Sequence, residues 1–408
     1  MPIPESPPTP PQVSRASQQP LPPRATGTRL FTHCLHGVRA VGALLVVLAH
    51  LTGPRGFEGK VFGGPGAFDA LHDATVGVGV DVFLTLSGFL LVLTAAGPRL
   101  GERSPGASLW RRLVRVLPLY WLATTGVLAI HLLLPGAVNS SQEHPPDVLA
   151  SYLLLPQQGL PLLLVGWTLT HVVGFYLVFH AGLLTGSARG LWTVLGAWAA
   201  VVTAAAVAVL LAPPGAAGPW LVALGSPHNL QPLLGAALAQ ALLAGWRRRG
   251  GLALVTGAVL LLALTGARLL PVPGTTSGAY RLLGVTTAVL LLLYGLLALE
   301  QSHRRRTPRP LLPVAASSYS LYLVHVPLVG ALAVVAGRLP LPTATPVRVG
   351  VVLLVLLACL GLARLVHRFV EQPLVAALTE RLPAALARRR APRVVDVTAA
   401  EAPARRVR

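Results

Sequence analysis

Stretches of about 20 consecutive apolar residues recur along almost the whole chain, each long enough to cross ~30 Å of hydrocarbon as a helix. Inside a bilayer every backbone N–H and C=O must be satisfied within the protein, so such stretches fold as helices. Spans are expected at 32–52, 76–96, 116–134, 167–184, 191–212, 229–246, 251–270, 281–300, 315–336 and 348–369. Composition agrees, with 53% hydrophobic residues, 11% charged residues and a mean hydropathy of +0.66. The expected fold class is all-α: a polytopic membrane helical bundle of about ten transmembrane helices, a multi-pass protein of the cell membrane. The least regular region is 149–184, where 152-YLLLPQQGLPLLLVGW-167 reads as a re-entrant or interfacial piece, or as an extra span.

The basic residues orient the bundle. With the N-terminus in the cytoplasm, the inner segments carry Arg15, Arg24, Arg29, Arg99, Arg103, Arg111, Arg112, Arg115, Arg189, Arg247, Arg248, Arg249, Arg304, Arg305, Arg306 and Arg309, followed by a basic C-terminal tail. The outer loops keep only Arg55, Lys60, Arg268, Arg281, Arg338 and Arg348. A cytoplasmic excess of Lys and Arg is the positive-inside pattern, so both termini are expected in the cytoplasm. The net charge of +20 is spread over these inner loops and tails. Orientation and anionic lipid headgroups account for it, and no nucleic-acid partner is expected. Residues 1–29, rich in Pro, Gln, Ser and Arg, read as a disordered cytosolic tail without the apolar core of a signal peptide. Residues 376–408 read as a second, basic cytosolic tail, and 30–375 as one transmembrane domain. Cys34 and Cys359 make neither a disulfide framework nor a metal site.

Ionisable residues inside membrane spans are costly and are functional candidates by default. The first span holds two, Arg39 and His50, in 38-VRAVGALLVVLAHLT-52. Successive helical residues turn by ~100° and rise by ~1.5 Å, which brings this pair to within ~20° on one face, ~16 Å apart along the axis. The second span contributes Asp81. The ninth contributes Ser318, Tyr322 and His325, a polar stripe on one helix face that lines a substrate path or joins helices.

Five segments, taken in order, resemble the acyltransferase-3 family of integral-membrane O-acyltransferases. The stretch 35-LHGVRAVGALLVVLAH-50 is similar to the family's first helix through the Arg39 to His50 spacing, with His36 where the family has Asp. The stretch 77-GVGVDVFLTLSGFLL-91 matches through Asp81, Phe83, Ser87, Gly88 and Phe89, and 111-RRLVRVLPLYW-121 through Arg112, Arg115, Pro118 and Tyr120. Near the end, 318-SYSLYLVHVPL-328 carries His325 and 366-VHRFVEQPL-374 carries Glu371 and Pro373. One departure stands out: 167-WTLTHVVGFY-176 places Val172 where the family has a Glu, beside the polar His171.

The resemblance implies transfer of an acyl group, acetyl or another short acyl, from cytosolic acyl-CoA to a hydroxyl. The acceptor it implies is a cell-envelope glycan or a glycosylated metabolite. Phosphates cannot enter hydrocarbon, so the donor site begins at the cytosolic face, where Arg112 and Arg115 can clamp them and Arg39 lies toward the same side. His50, near the outer end, is the expected general base or transient acyl carrier. Asp81 falls at a similar depth and is the expected carboxylate partner of His50, unless it pairs with Arg39. Ser87, Tyr322, His325 and His171 are expected to contact substrate, with Ser87 far better suited to packing than to nucleophilic attack. Glu371 is expected to pair with Arg368. The competing class is a proton-coupled transporter or flippase, in which Arg39, Asp81 and His325 form a polar path.

Overall fold

The computed structural model describes residues 32–64, 66–95, 104–133, 144–213, 215–268, 284–303 and 307–381. The 1–29 tail, the 376–408 tail beyond 381, and Arg99, Arg103, Arg281, Arg304, Arg305 and Arg306 lie outside the described residues. Among these residues every regular element is helical, and a helix occupies each expected segment. The helices are α1 Thr32–Leu51, α2 Val78–Ala95, α3 Pro105–Leu133, α4 Gly166–Leu183, α5 Ala188–Leu211, α6 Leu230–Leu243, α7 Gly250–Arg268, α8 Thr286–His303, α9 Ser318–Ala336 and α10 Thr345–Val366. Among the described residues six helical stretches are long and apolar enough to cross a membrane: Cys34–Leu51, Asp69–Ala95, Pro105–Leu133, Ala188–Leu211, Ser318–Ala336 and Thr345–Glu380. Gly250–Thr265 and Thr286–Glu300 are shorter apolar helices.

Two boundaries differ from expectation. α3 starts at Pro105 rather than near 116, because Ser104 caps it through Ala107 N–H to Oγ, 3.2 Å, and Pro105 takes the first helical position. Arg111, Arg112 and Arg115 therefore project from a helix and not from a loop. At the other end, α10 continues through a π-helical turn, His367–Glu371, into the helix Gln372–Glu380, past the expected domain end at 375.

The stretch 152–167 is not an extra span. A short helix, Val148–Leu153, ends at Leu154 in the left-handed conformation, φ 54°, and irregular chain leads to α4. Side chains satisfy its backbone: the Tyr120 hydroxyl donates to Ser151 O at 2.5 Å, Trp121 Nε1 to Tyr152 O at 2.9 Å, and Leu162 N to Ser151 Oγ at 3.0 Å. Non-helical backbone at membrane depth is stable only with such partners.

α1 is the hub, packing on α2, α8, α9, α10 and the short helix Leu311–Ala316. α2 and α6 pack closely through paired glycines. A Cβ on Gly88 would strike the carbonyl of Pro232, and one on Gly235 the carbonyl of Thr85. Small residues that let helix backbones touch are how membrane bundles pack without a hydrophobic drive between helices. The polarity is inverted relative to a soluble protein: Leu133, Leu211 and Leu262 are exposed, whereas Asp81, Gln231, Thr286, Ser320 and His325 are fully buried.

Candidate functional site

Arg39 and His50 both face α9. Arg39 Nη2 donates to Ser318 Oγ at 2.8 Å, and the His50 ring meets the His325 ring edge-on, centroids 4.9 Å apart with planes at 76°. The helix face shared by Arg39 and His50 is thus matched on α9 by residues seven apart. His50 Nδ1 lies 2.9 Å from Val46 O and His325 Nδ1 3.0 Å from Leu321 O. A carbonyl only accepts, so each Nδ1 carries the proton, and in the neutral rings each Nε2 is the basic nitrogen. Among the described residues His325 Nε2 is buried without a hydrogen-bond partner, and the hydrogen bond of His50 is made by Nδ1. His325 is joined through its neighbour Tyr322, ring centroids 6.1 Å apart, to α4: the Tyr322 hydroxyl bonds Thr168 Oγ1 and donates to Val165 O.

The expected His50–Asp81 dyad does not form. The proton that a carboxylate partner would hold is already held by the α1 backbone at Val46. Asp81 is buried elsewhere, accepting from Gln231 Nε2 at 2.8 Å with His228 Nδ1 4.0 Å away, and Gln231 Nε2 also reaches Thr286 Oγ1 at 2.9 Å. This second polar group extends to α4. His228 and His171 are 5.7 Å apart by ring centroid, and His171 Nδ1 donates to Asn229 Oδ1 at 2.9 Å. Asn229 is itself fixed by donating Nδ2 to Ala223 O and Leu224 O. Next to His171, Val172 packs against the apolar core, so the polar side chain at this turn of α4 is His171.

At the Arg39 end, guanidinium groups converge. Arg39 lies within electrostatic range of Arg115 and Glu371, and Arg112 within range of Arg115 and Tyr176. Arg112 Nη2 donates to Thr94 Oγ1 at 2.5 Å and Leu90 O at 3.1 Å, tying α3 to the end of α2, while its guanidinium lies over the Tyr176 ring at 5.9 Å. Arg115 is exposed on α3. Each guanidinium has five donors, and among the described residues the hydrogen bonds given above come from one nitrogen of Arg39 and one of Arg112. Glu371 does not pair with Arg368: it accepts from Ser320 Oγ at 2.6 Å and from His367 Nδ1 at 2.8 Å, because the π-helical turn points Arg368 outward over Phe369. Ser87 donates to Leu84 O at 2.7 Å beside the Gly88 contact with α6, a packing position away from both histidine groups.

Over the His50 end, the His72 ring packs against Gly53, where φ of +81° and the absence of Cβ are both needed for the chain to turn off α1. Glu58, fully buried, holds the segment that follows α1 by accepting from Ala67 N at 2.6 Å and pairing with Arg348 at 3.8 Å.

Taken together, apolar helices of membrane length enclose a buried line of imidazole, hydroxyl and guanidinium groups, the character of a membrane protein. The acyltransferase domain profile matches residues 32–364, and the chain belongs to that family. Over 147 residues, 33% of this chain, it is 35% identical to the exopolysaccharide production protein ExoZ of Rhizobium meliloti (strain 1021). The match covers 44% of that relative's length. No solved structure matches the chain significantly.

The structure therefore brings together Arg39, His50, Tyr322 and His325 through α9, and Asp81 with His171 through the His228, Asn229 and Gln231 segment. Sequence reasoning missed the segment 226-SPHNLQP-232. The signal was present, since three side chains able to hydrogen bond (His228, Asn229 and Gln231) cluster within four residues at the start of a mainly apolar span.

Proposed function

We propose that this protein is an integral-membrane O-acyltransferase, moving an acetyl or other short acyl group from cytosolic acyl-CoA to a hydroxyl of a carbohydrate-containing acceptor. In this reading both termini are cytoplasmic and about ten helices span the bilayer. Arg39, Arg112 and Arg115 then face the cytosol and hold the donor phosphates, while the acyl-bearing arm runs along the α1–α9 seam toward His50. The observation that carries the proposal is the tautomer of His50: with Nδ1–H held by Val46 O, the basic Nε2 is available at the far end of a face that begins at Arg39.

In this scheme His50 Nε2 takes the proton of the acceptor hydroxyl as its oxygen attacks the thioester carbonyl. The tetrahedral intermediate collapses with cleavage of the carbon–sulfur bond, and the thiolate recovers the proton from the imidazolium. The products are the ester and free CoA. An acyl-imidazole route would use the same nitrogen as nucleophile, and acid quenching of the donor-only reaction distinguishes the two by trapped acyl label on His50. Tyr322 and His325 position His50 and line the path. Asp81 acts at a distance, ordering Gln231 and His228 behind His171 on the acceptor side. The word exopolysaccharide in the relative's name supports a glycan acceptor.

The test is purified full-length protein with radiolabelled acetyl-CoA and glycan acceptors. The expected result is label in the acceptor in base-labile linkage with equimolar CoA release. No CoA turnover with any acceptor, together with movement of substrate across vesicles, assigns the protein to transport instead.

A further inference from the structure

A cavity of about 370 Å³ lies between the irregular stretch that follows the short helix Val148–Leu153, the start of α4, and the segment 217–223. That volume is within the usual range of small-molecule sites, ~300–1,000 Å³. Its described lining contains no Asp, Glu, Lys or Arg. Trp167, Thr170 and His171 of α4 form one wall, Ser151 and Gln158 the polar edge, and Leu154, Pro219 and Val222 apolar surface. Trp167 Nε1 makes no hydrogen bond among the described residues, and His171 Nε2 is the basic nitrogen because Nδ1 is committed to Asn229. Trp167 meets the His171 ring edge-on and lies 5.1 Å from the His228 ring by centroid, so its indole packs against two imidazoles.

An indole ring in the wall, separate donor and acceptor groups, and no Asp, Glu, Lys or Arg fit a ligand with apolar faces and hydroxyl edges. A pyranose ring has that form, and a phosphate or carboxylate does not. The cavity also stands apart from His50. Thr168, next to Trp167, bonds Tyr322, and two ring-to-ring steps of 6.1 and 4.9 Å lead on through His325 to His50. A sugar resting on Trp167 and a hydroxyl at His50 are therefore on different residues of one chain. We infer that this cavity is a subsite for a neutral sugar residue of an oligosaccharide acceptor, displaced along the chain from the residue that is acylated. This rests on the acyltransfer reading for the role of His50, and on the cavity alone for the chemistry of the ligand.

The experiment is photo-crosslinking of wild-type full-length protein in lipid nanodiscs with diazirine-bearing methyl β-cellobioside, methyl β-lactoside and methyl α-maltoside. Mass spectrometry should map label from at least one probe to 150–171 or 217–223, and the plain glycoside should compete while its uronic acid counterpart should not. Trp167→Ala should weaken competition about tenfold or more, and Trp167→Phe should retain most of it. Label from all probes elsewhere, equal competition by the uronate, or unchanged competition in Trp167→Ala with a wild-type melting temperature overturns the subsite. The wild-type map stands even if Trp167→Ala does not fold. Specific label on these walls without any CoA turnover keeps the sugar site and removes the acyltransfer reading; turnover with label elsewhere does the reverse.

Discussion

His50 and His325 meet edge-on at 4.9 Å between ring centroids, and each gives its Nδ1–H to the carbonyl four residues back in its own helix. Two imidazoles from different helices are thus locked with protonated Nδ1 by backbone alone, and no carboxylate is needed to fix either ring. The pair lies about two to three helical turns along the α1–α9 seam from the Arg39–Ser318 hydrogen bond.

His325 should therefore be a positioning residue for His50. His325→Ala leaves a cavity beside His50, and acyl transfer should fall about tenfold to a hundredfold, in kcat more than in KM for acetyl-CoA. His325→Phe, which retains a ring at the contact, should recover part of the loss. Steady-state kinetics on the three proteins check this, and equal activity in all of them removes His325 from the site.

Arg39 and its partner Ser318 should separate in effect. Arg39→Ala removes a cation and a phosphate donor and should raise KM for acetyl-CoA by about tenfold or more. Ser318→Ala removes one hydrogen bond, about 1 kcal/mol, and should raise KM about fivefold. Arg39→Lys should lie between them, since an ammonium lacks the planar fork.

Asp81→Asn should be mild. An amide oxygen can still accept from Gln231, so transfer should fall less than about tenfold at wild-type abundance. Asp81→Leu leaves Gln231 Nε2 with Thr286 alone and should cost ~1–3 kcal/mol, seen as a lower melting temperature and reduced membrane abundance. Complete loss of activity in well-folded Asp81→Asn would restore the direct catalytic role expected from sequence.

Gly235→Leu should fail to assemble. The added side chain starts against the Thr85 carbonyl, where α2 and α6 touch, and rigid backbone cannot yield as a side chain can. Detergent size-exclusion profiles should show aggregation, while Gly330→Leu, at a position with open space around it, should remain monodisperse.

Topology is testable without activity. Gly63→Cys should react with an impermeant maleimide from outside intact cells and Gly245→Cys only after permeabilisation, both positions being exposed loop glycines. The reverse pattern contradicts cytoplasmic termini.

What sequence disclosed, and what it hid, follows from the physics of each part. Long apolar runs marked where the long helices lie among the described residues, six of them in stretches long and apolar enough to cross a membrane, because hydrocarbon admits little else at those lengths. The Arg39 and His50 face was legible since helical period alone aligns the two, and α9 carries the matching Ser318 and His325. The partner of His50 was not, because a side chain bonding its own helix carbonyl leaves no mark in spacing. Asp81 was visible as a buried acid, but its neighbours Gln231 and His228 are about 150 residues away in the chain and meet it only through the Gly88 and Gly235 crossing. Glu371 misled for a local reason: a π-helical turn rotates His367, not Arg368, toward it.

The measurement that bears most directly on the central claim is acceptor-dependent CoA release by His50→Ala, alongside calorimetric binding of CoA to the same preparation. With Arg39, Arg112 and Arg115 intact, the variant should bind CoA within about threefold of wild type, while release falls by ~10²–10⁴, the usual contribution of a positioned general base. Folded His50→Ala that binds CoA and still turns over at the wild-type rate contradicts the account.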